Sequence, residues 1–270
     1  MPLRALLLCF AILCLQAAPP SFQKYGQGPG ILLIHGYGGN KEVWTAVAGE
    51  LARDHTVVCV DLPGSSGSPG PAMMDGRADF GALAKDLAAL VRKEGLAPCL
   101  VVGHSMGGPI AARTVLEDPA AFRGLALVDS FLSALPAAYL DPIILALGKD
   151  AGATLTGFFG HIATGPAQTQ SLVKDALRIP VPTLQAYLRA MALDSVQGRQ
   201  AELRLPVLQL AAGPRNPDPA KELETLAQFG FKGLPTFRII YFPSAKHWLM
   251  WDAPEAFLLA LRSFEAGLGR

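Results

Sequence analysis

The 270-residue sequence contains no Cys-x-x-Cys and no His-Glu-x-x-His pattern, so the usual sequence support for a metal site is missing. It also lacks an excess of charge: 23 Lys and Arg face 22 Asp and Glu, a formal net charge of +1. A balance this even excludes the basic footprint of a nucleic-acid binder and gives no sign of an acidic partner. No internal repeat or low-complexity tract occurs, which excludes solenoids and collagen-like arrays. The length suits one globular domain carrying an inserted sub-domain better than two independent ones.

The one long apolar run is at the start. Met1–Ala18 carries Arg4, an unbroken apolar stretch from Ala5 to Leu15, then Gln16, Ala17 and Ala18. This is the layout of a secretory signal peptide cleaved near Ala17 or Ala18. The run is shorter than the roughly 20 apolar residues a bilayer span needs. The expected location is therefore secreted or periplasmic, with membrane tethering the alternative if the leader is kept. Leu8 and Leu13, the bulky residues before Cys9 and Cys14, argue against lipoprotein processing. Cys59 and Cys99 remain, each inside an apolar run and read as buried free thiols.

From Gly30 onward, apolar runs of strand length alternate with segments of helical period, the pattern of a mostly parallel sheet covered by helices on both faces. Strands are expected at 31–34, 56–60, 100–102, 125–128, 207–211 and 237–242. Asn40 is placed to cap a helix carrying Val43, Val47 and Leu51. A second helix is expected over 78–94, where Phe80, Leu83, Leu87, Leu90 and Val91 share a face, with others after residue 109 and over 254–264. Between 131 and 204 the rhythm breaks: helical patterns occur without a good strand, which reads as an inserted helical cap. The boundaries are a leader (1–18), a core (19–130 and 205–270) and the cap (131–204).

Three motifs carry chemistry. Gly103-His104-Ser105-Met106-Gly107 follows a strand and precedes a helix, the context of a nucleophile elbow. Glycine at 103 and 107 relieves the crowding of so tight a turn, and Ser105 then stands above the carboxyl edge of the sheet. His35-Gly36-Tyr37-Gly38-Gly39 ends the first parallel strand; the Tyr37 and Met106 N–H groups are the candidate oxyanion donors. A phosphate loop is the competing reading of these glycines, but Lys41 stands where the final Gly of G-x-G-x-x-G belongs and no G-K-[ST] follows. His247 lies in a loop after the last strand, in the chain order Ser, acid, His, and is suited to take a serine's proton near neutrality.

These motifs, with Asp61-Leu-Pro-Gly, Leu125-Ala-Leu-Val-Asp and His247-Trp-Leu-Met-Trp-Asp-Ala-Pro-Glu, resemble the blocks of the α/β-hydrolase superfamily in family order, from about residue 22 to 264. The resemblance implies a central sheet of about seven or eight mostly parallel strands with the cap inserted after Asp129. It departs from the family pattern in an opening hairpin reduced to Phe22–Tyr25, in Ser66 where Gly is usual, and in the acid. The loop after strand 207–211 reads Gly213-Pro-Arg-Asn216-Pro-Asp218-Pro, so Asn216 holds the expected place and Asp218 follows two residues later. Asp218 is the favoured acid. Asp129 is the alternative, and a third possibility has no carboxylate, with Asn216 orienting His247.

The implied function is a serine hydrolase, a carboxylesterase by default, cleaving a small apolar ester through a Ser-His-Asp triad and an acyl-enzyme, with no cofactor and no metal. Phe131, Leu132, Tyr139, Phe158, Phe159 and Tyr187 are expected to give the cap an apolar pocket. The alternatives are a hydrolase of C–C or amide bonds on the same fold, and a catalytically weak binding protein. Epoxide hydrolases and haloalkane dehalogenases of the superfamily attack with Asp, which Ser105 argues against.

Overall fold

The computed structural model describes residues 20–269, so the expected leader at 1–18 lies outside the described residues. The chain runs through β1 (Ser21–Tyr25), β2 (Gly30–Ile34), α1 (Thr45–Leu51), β3 (Thr56–Asp61), β4 (Met73–Met74), β5 (Arg77–Ala78), α2 (Phe80–Lys93), β6 (Cys99–His104), α3 (Gly107–Glu117) and β7 (Phe122–Val128). Four helices follow: α4 (Ala137–Leu147), α5 (Ala151–Ile162), α6 (Pro166–Ala176) and α7 (Val181–Leu193). Then come β8 (Val207–Ala212), α8 (Pro219–Gln228), β9 (Phe237–Phe242), α9 (Leu249–Asp252) and α10 (Pro254–Ala266).

Seven strands form one sheet in the order β1-β3-β2-β6-β7-β8-β9. β1 pairs antiparallel with β3, and every other neighbouring pair is parallel. The architecture is the α/β-hydrolase fold that the sequence pattern implies. Central strands are covered on both faces, which is why β2 and β6 read as continuous apolar runs and are buried throughout. β1 is short, mostly exposed and rich in polar residues, as suits an edge. β2 separates β3 from β6, so Cys59 and Cys99 stay apart as free, buried thiols.

The helices around the sheet pack in two sets, α1 with α9 and α10, and α2 with α3. The apolar face of α2 is buried as its period requires, at Phe80, Leu83, Leu87, Leu90 and Val91. Full burial of each such side chain contributes about 1.5–3 kcal/mol. Asn40 does cap its helix, accepting from Glu42 N–H at 2.8 Å, but the first turn is 3₁₀ and α1 begins only at Thr45.

The expected helix over 78–94 begins two residues later than its period suggests. Asp75 and Gly76 both have positive φ and turn the small hairpin β4–β5, which takes Ala78 as a strand residue. Asp79 then caps α2, accepting from Ala82 N–H at 3.0 Å. This hairpin packs against α7 and so helps seat the inserted helices.

Strand order reverses beside β2: the chain steps outward to β3, then returns across β2 to β6. Crevices at the carboxyl ends of parallel strands open at such a switch. His35 and Ser105 directly follow the carboxyl ends of β2 and β6.

Candidate active site

Ser105 follows β6 directly, and Gly107 starts α3. Its φ is 52°, in the left-handed region that a β-carbon disfavours, a strain typical of functional turns. The conformation is held from three sides: Ser105 N–H donates to Val128 O at 2.9 Å, while Ser105 O accepts from Gly108 N–H at 2.9 Å and Ser130 Oγ–H at 2.6 Å. The flanking glycines are required by contact. A Cβ at Gly103 would come 2.4 Å from Gly107 O, and one at Gly107 would come 2.5 Å from Ile34 O.

His247 meets Asp129. Its Nδ1 lies 2.6 Å from Asp129 Oδ2, which assigns Nδ1 as the protonated donor and leaves Nε2 as the nitrogen able to take a proton. Asp129 is itself oriented by β8: its N–H donates to Leu210 O at 2.7 Å, and its Oδ1 accepts from Ala212 N–H at 2.9 Å. Its φ of 42° makes it a second non-glycine residue in the left-handed region at this site.

The expectation that Asp218 pairs with His247 is therefore corrected. Asp218 is the N-cap of α8, its Oδ1 accepting from Ala220 N–H at 2.9 Å and Lys221 N–H at 3.4 Å. The Asp-Pro pair that suggested an acid is equally a helix start, with the carboxylate capping and proline in the first turn. Asn216 does not orient His247 either: its side-chain oxygen accepts from Asp218 N–H at 3.0 Å, and its backbone N–H donates to Glu222 Oε2 at 3.2 Å.

The Gly-rich turn after β2 lies against the elbow. A Cβ at Gly36 would come 2.9 Å from Ser105 Cβ, so the turn approaches Ser105 as closely as backbone allows. Among the described residues neither Tyr37 N–H nor Met106 N–H donates a backbone hydrogen bond. His35 fixes this turn. Its Nε2 accepts from Leu62 N–H at 3.0 Å, so Nδ1–H donates to Gly36 O at 2.8 Å. Burial pushes its pKa down and keeps the ring neutral.

His104 is also neutral. Burial first, then the neighbouring His247, hold its pKa well below the ordinary value. Its ring centroid is 4.6 Å from that of His247, and its Nε2–H donates to His247 O at 3.0 Å. A neutral neighbour in this position supports the His247 loop without opposing a positive charge on the His247 ring. The loop has a second anchor in Asp252, which accepts from Lys246 N–H at 2.8 Å, from Thr164 Oγ1 at 2.6 Å and from Gln168 Nε2 at 3.0 Å.

Ser105, His247, Asp129 and Tyr37 line one cavity of about 510 Å³. The inserted helices supply much of its apolar wall through Tyr139, Phe158, Phe159 and Met191, with Phe131 beside them. Leu132 and Tyr187, expected in this wall, are instead buried in packing. Tyr187 donates to Pro63 O at 2.8 Å and so ties α7 to the loop after β3. Among the described residues no three His, Cys, Asp or Glu side chains converge as a metal ligand set. Sequence reasoning missed Ser130, whose role as a clamp on the elbow carbonyl has no local signature, and the polar residues Gln209 and Glu222 that also line the cavity.

Fold and site together define an α/β-hydrolase with a serine elbow. Residues 31–260 match the Alpha/beta hydrolase family, and the chain belongs to it. It is 26% identical over 261 residues to a pimeloyl-[acyl-carrier protein] methyl ester esterase of Aeromonas hydrophila, covering 90% of this chain and 98% of that one. A fluoroacetate dehalogenase of a Burkholderia species is 40% identical over 106 residues, a match that spans 38% of this chain and only 35% of that relative. Among solved structures, a thermophilic esterase from Thermogutta terrifontis aligns with a TM-score of 0.77 at 22% identity, covering 92% of this chain and 93% of the other. An esterase from Exiguobacterium antarcticum aligns at 0.78 and 19% identity, covering 92% and 97%.

Proposed function

We propose that the protein is a serine esterase in which Ser105, His247 and Asp129 form the catalytic triad. Ser105 Oγ attacks the carbonyl carbon of a carboxylic ester while His247 Nε2 takes its proton; the Tyr37 and Met106 N–H groups stabilise the oxyanion. Collapse of the tetrahedral adduct breaks the bond to the alcohol, which leaves with the proton from His247. Water, activated by His247, then releases the acid and restores Ser105. Asp129 holds the ring tautomer and stabilises the imidazolium, and is not itself protonated.

The observation that carries this reading is the 2.6 Å Asp129–His247 contact on the same cavity as the strained Ser105. The apolar wall favours an uncharged acyl or alkyl group, and the named esterase activities of the similar proteins support an ester over other acyl compounds. The elbow residue is a hydroxyl, so displacement at an alkyl halide by a carboxylate nucleophile has no nucleophile here, despite the local similarity to a dehalogenase. The layout of residues 1–18 supports export, and sequencing the N-terminus of the secreted protein tests this.

A fluorophosphonate probe should label the wild type and not Ser105→Ala. p-Nitrophenyl esters of increasing acyl length should be hydrolysed by the same labelled protein. Absence of labelling at Ser105 together with absence of turnover would overturn the proposal.

A further inference from the structure

The β8 side of the cavity holds a polar group that the ester chemistry does not use. Gln209, on β8, is 3% exposed and lines the same cavity as Ser105. Its Nε2 donates to Ser130 O at 3.3 Å, which identifies the nitrogen end of the amide; Oε1 is buried and has no hydrogen-bond partner. A buried acceptor left unpaired is costly, and in a native protein it calls for a reason.

The surroundings specify what would satisfy it. Phe229, Phe231 and Ile239 line the same cavity and offer no donor. Glu222, another acceptor there, is already engaged: the Tyr241 hydroxyl and Asn216 N–H donate to it, and Arg215 lies 3.7 Å away. Gln209 Oε1 is thus an acceptor without a donor, while the neighbouring polar side chains are already paired. Its distance from the nucleophile follows from register. Gly103 pairs with Leu127, and Leu127 with Gln209. Gln209 therefore sits two strand spacings from β6 and two residues below Ser105, about 12 Å between backbones.

We propose that Gln209 is a specificity-determining residue, whose Oε1 accepts a hydrogen bond from a hydroxyl or amide N–H carried on the substrate chain several carbons from the scissile carbonyl. This rests on the esterase reading and narrows it: the preferred ester is an apolar chain with one neutral hydrogen-bond donor toward its far end. A site built to pair a substrate donor discriminates against the analogue lacking it, because its own buried acceptor is then left bare.

The test compares methyl ω-hydroxyalkanoates with methyl alkanoates, and ω-hydroxyalkyl acetates with alkyl acetates, over chains of about four to eight carbons, the range set by the strand geometry. In one series, at one length, the hydroxylated ester should be favoured at least about tenfold in kcat/KM. Gln209→Met, which keeps the length and loses the acceptor, should abolish that preference, read as the ratio of kcat/KM for the hydroxylated and plain esters in the same variant. Calorimetric binding of the same pair to Ser105→Ala reads the subsite without turnover, and needs no substitution at Gln209.

Equal kcat/KM and equal binding of hydroxylated and plain esters at every length would overturn the subsite and leave the esterase reading standing. Preference for the hydroxylated ester in binding, without hydrolysis of any ester, would support the subsite and overturn the esterase reading. Retention of the preference by Gln209→Met would also overturn the assignment.

Discussion

Asp129 Oδ2 lies 2.6 Å from His247 Nδ1, although 118 residues separate the two in the chain. β7 brings the aspartate to the carboxyl edge of the sheet and β9 brings the histidine loop there, while β8, lying between, orients the carboxylate through Leu210 O and Ala212 N–H. The Asp129 carboxylate is thus set by hydrogen bonds to a neighbouring strand, and its second oxygen is left for the imidazole.

Asp129→Asn should lower kcat by roughly 10⁴-fold, because an amide facing Nδ1 favours the wrong tautomer while geometry is kept. Asp218→Ala should leave kcat within about twofold and cost only the helix cap, about 1 kcal/mol. Steady-state kinetics on a p-nitrophenyl ester and urea unfolding of both variants check the pair. The reverse ranking would return the acid to Asp218.

Gly107→Ala should be severely destabilising. The new Cβ would meet the carbonyl oxygens of Ile34 and His35 at 2.5 and 2.7 Å, and both are backbone atoms of a central strand and its turn. Overpacking of this kind costs about 1–3 kcal/mol or more. Denaturant unfolding measures it, and loss of fluorophosphonate labelling should accompany it.

Stability should fall as the solution is acidified below neutrality. His35 and His104 both have folded pKa values pushed below the ordinary 6.5, so between the two values the unfolded chain binds protons that the folded protein refuses. Their contribution is complete above about 6.5 and is lost as the pH drops toward the folded values. Thermal unfolding between pH 7.5 and 5, as about the range that brackets this titration, should show the Tm falling, and His104→Gln should flatten the slope.

Asp252→Ala should reduce kcat by up to about 10²-fold with little change in the labelling site. Asp252 ties the His247 loop to Thr164 and Gln168 of the inserted segment, and a small displacement of a catalytic base has effects of that order. Asp252→Asn, which keeps one acceptor oxygen, should recover part of the rate. Equal activity in all three proteins would show that the loop needs no such tether.

Cys59 and Cys99 should resist iodoacetamide in the folded protein and react only after unfolding. Both are buried, and burial pushes each thiol up to about 12, so almost no thiolate is present at neutral pH. Peptide mapping of the native and urea-unfolded protein distinguishes the two states.

Much of this molecule could be read along the chain because its signals are local. Gly103-x-Ser105-x-Gly107 states its own geometry: two missing side chains around one residue forced into a left-handed turn. The covered strands announce themselves as apolar runs, and Phe237–Phe242 falls where its pattern placed it. The hairpin β4–β5 is equally local, in Asp75-Gly76, but its two-residue strands are too short to show a period.

Tertiary structure decided the rest. An aspartate before a proline looks the same whether it caps a helix or serves a histidine, and only packing shows that Asp218 does the first and Asp129 the second. No spacing reveals that Ser130 clamps the elbow carbonyl, or that Gln209, a residue of the cavity lining, keeps a buried Oε1 without a partner. Sequence determines backbone conformation where one residue's sterics suffice. A hydrogen bond between distant residues depends on where the sheet places both partners, and that is a property of the folded chain.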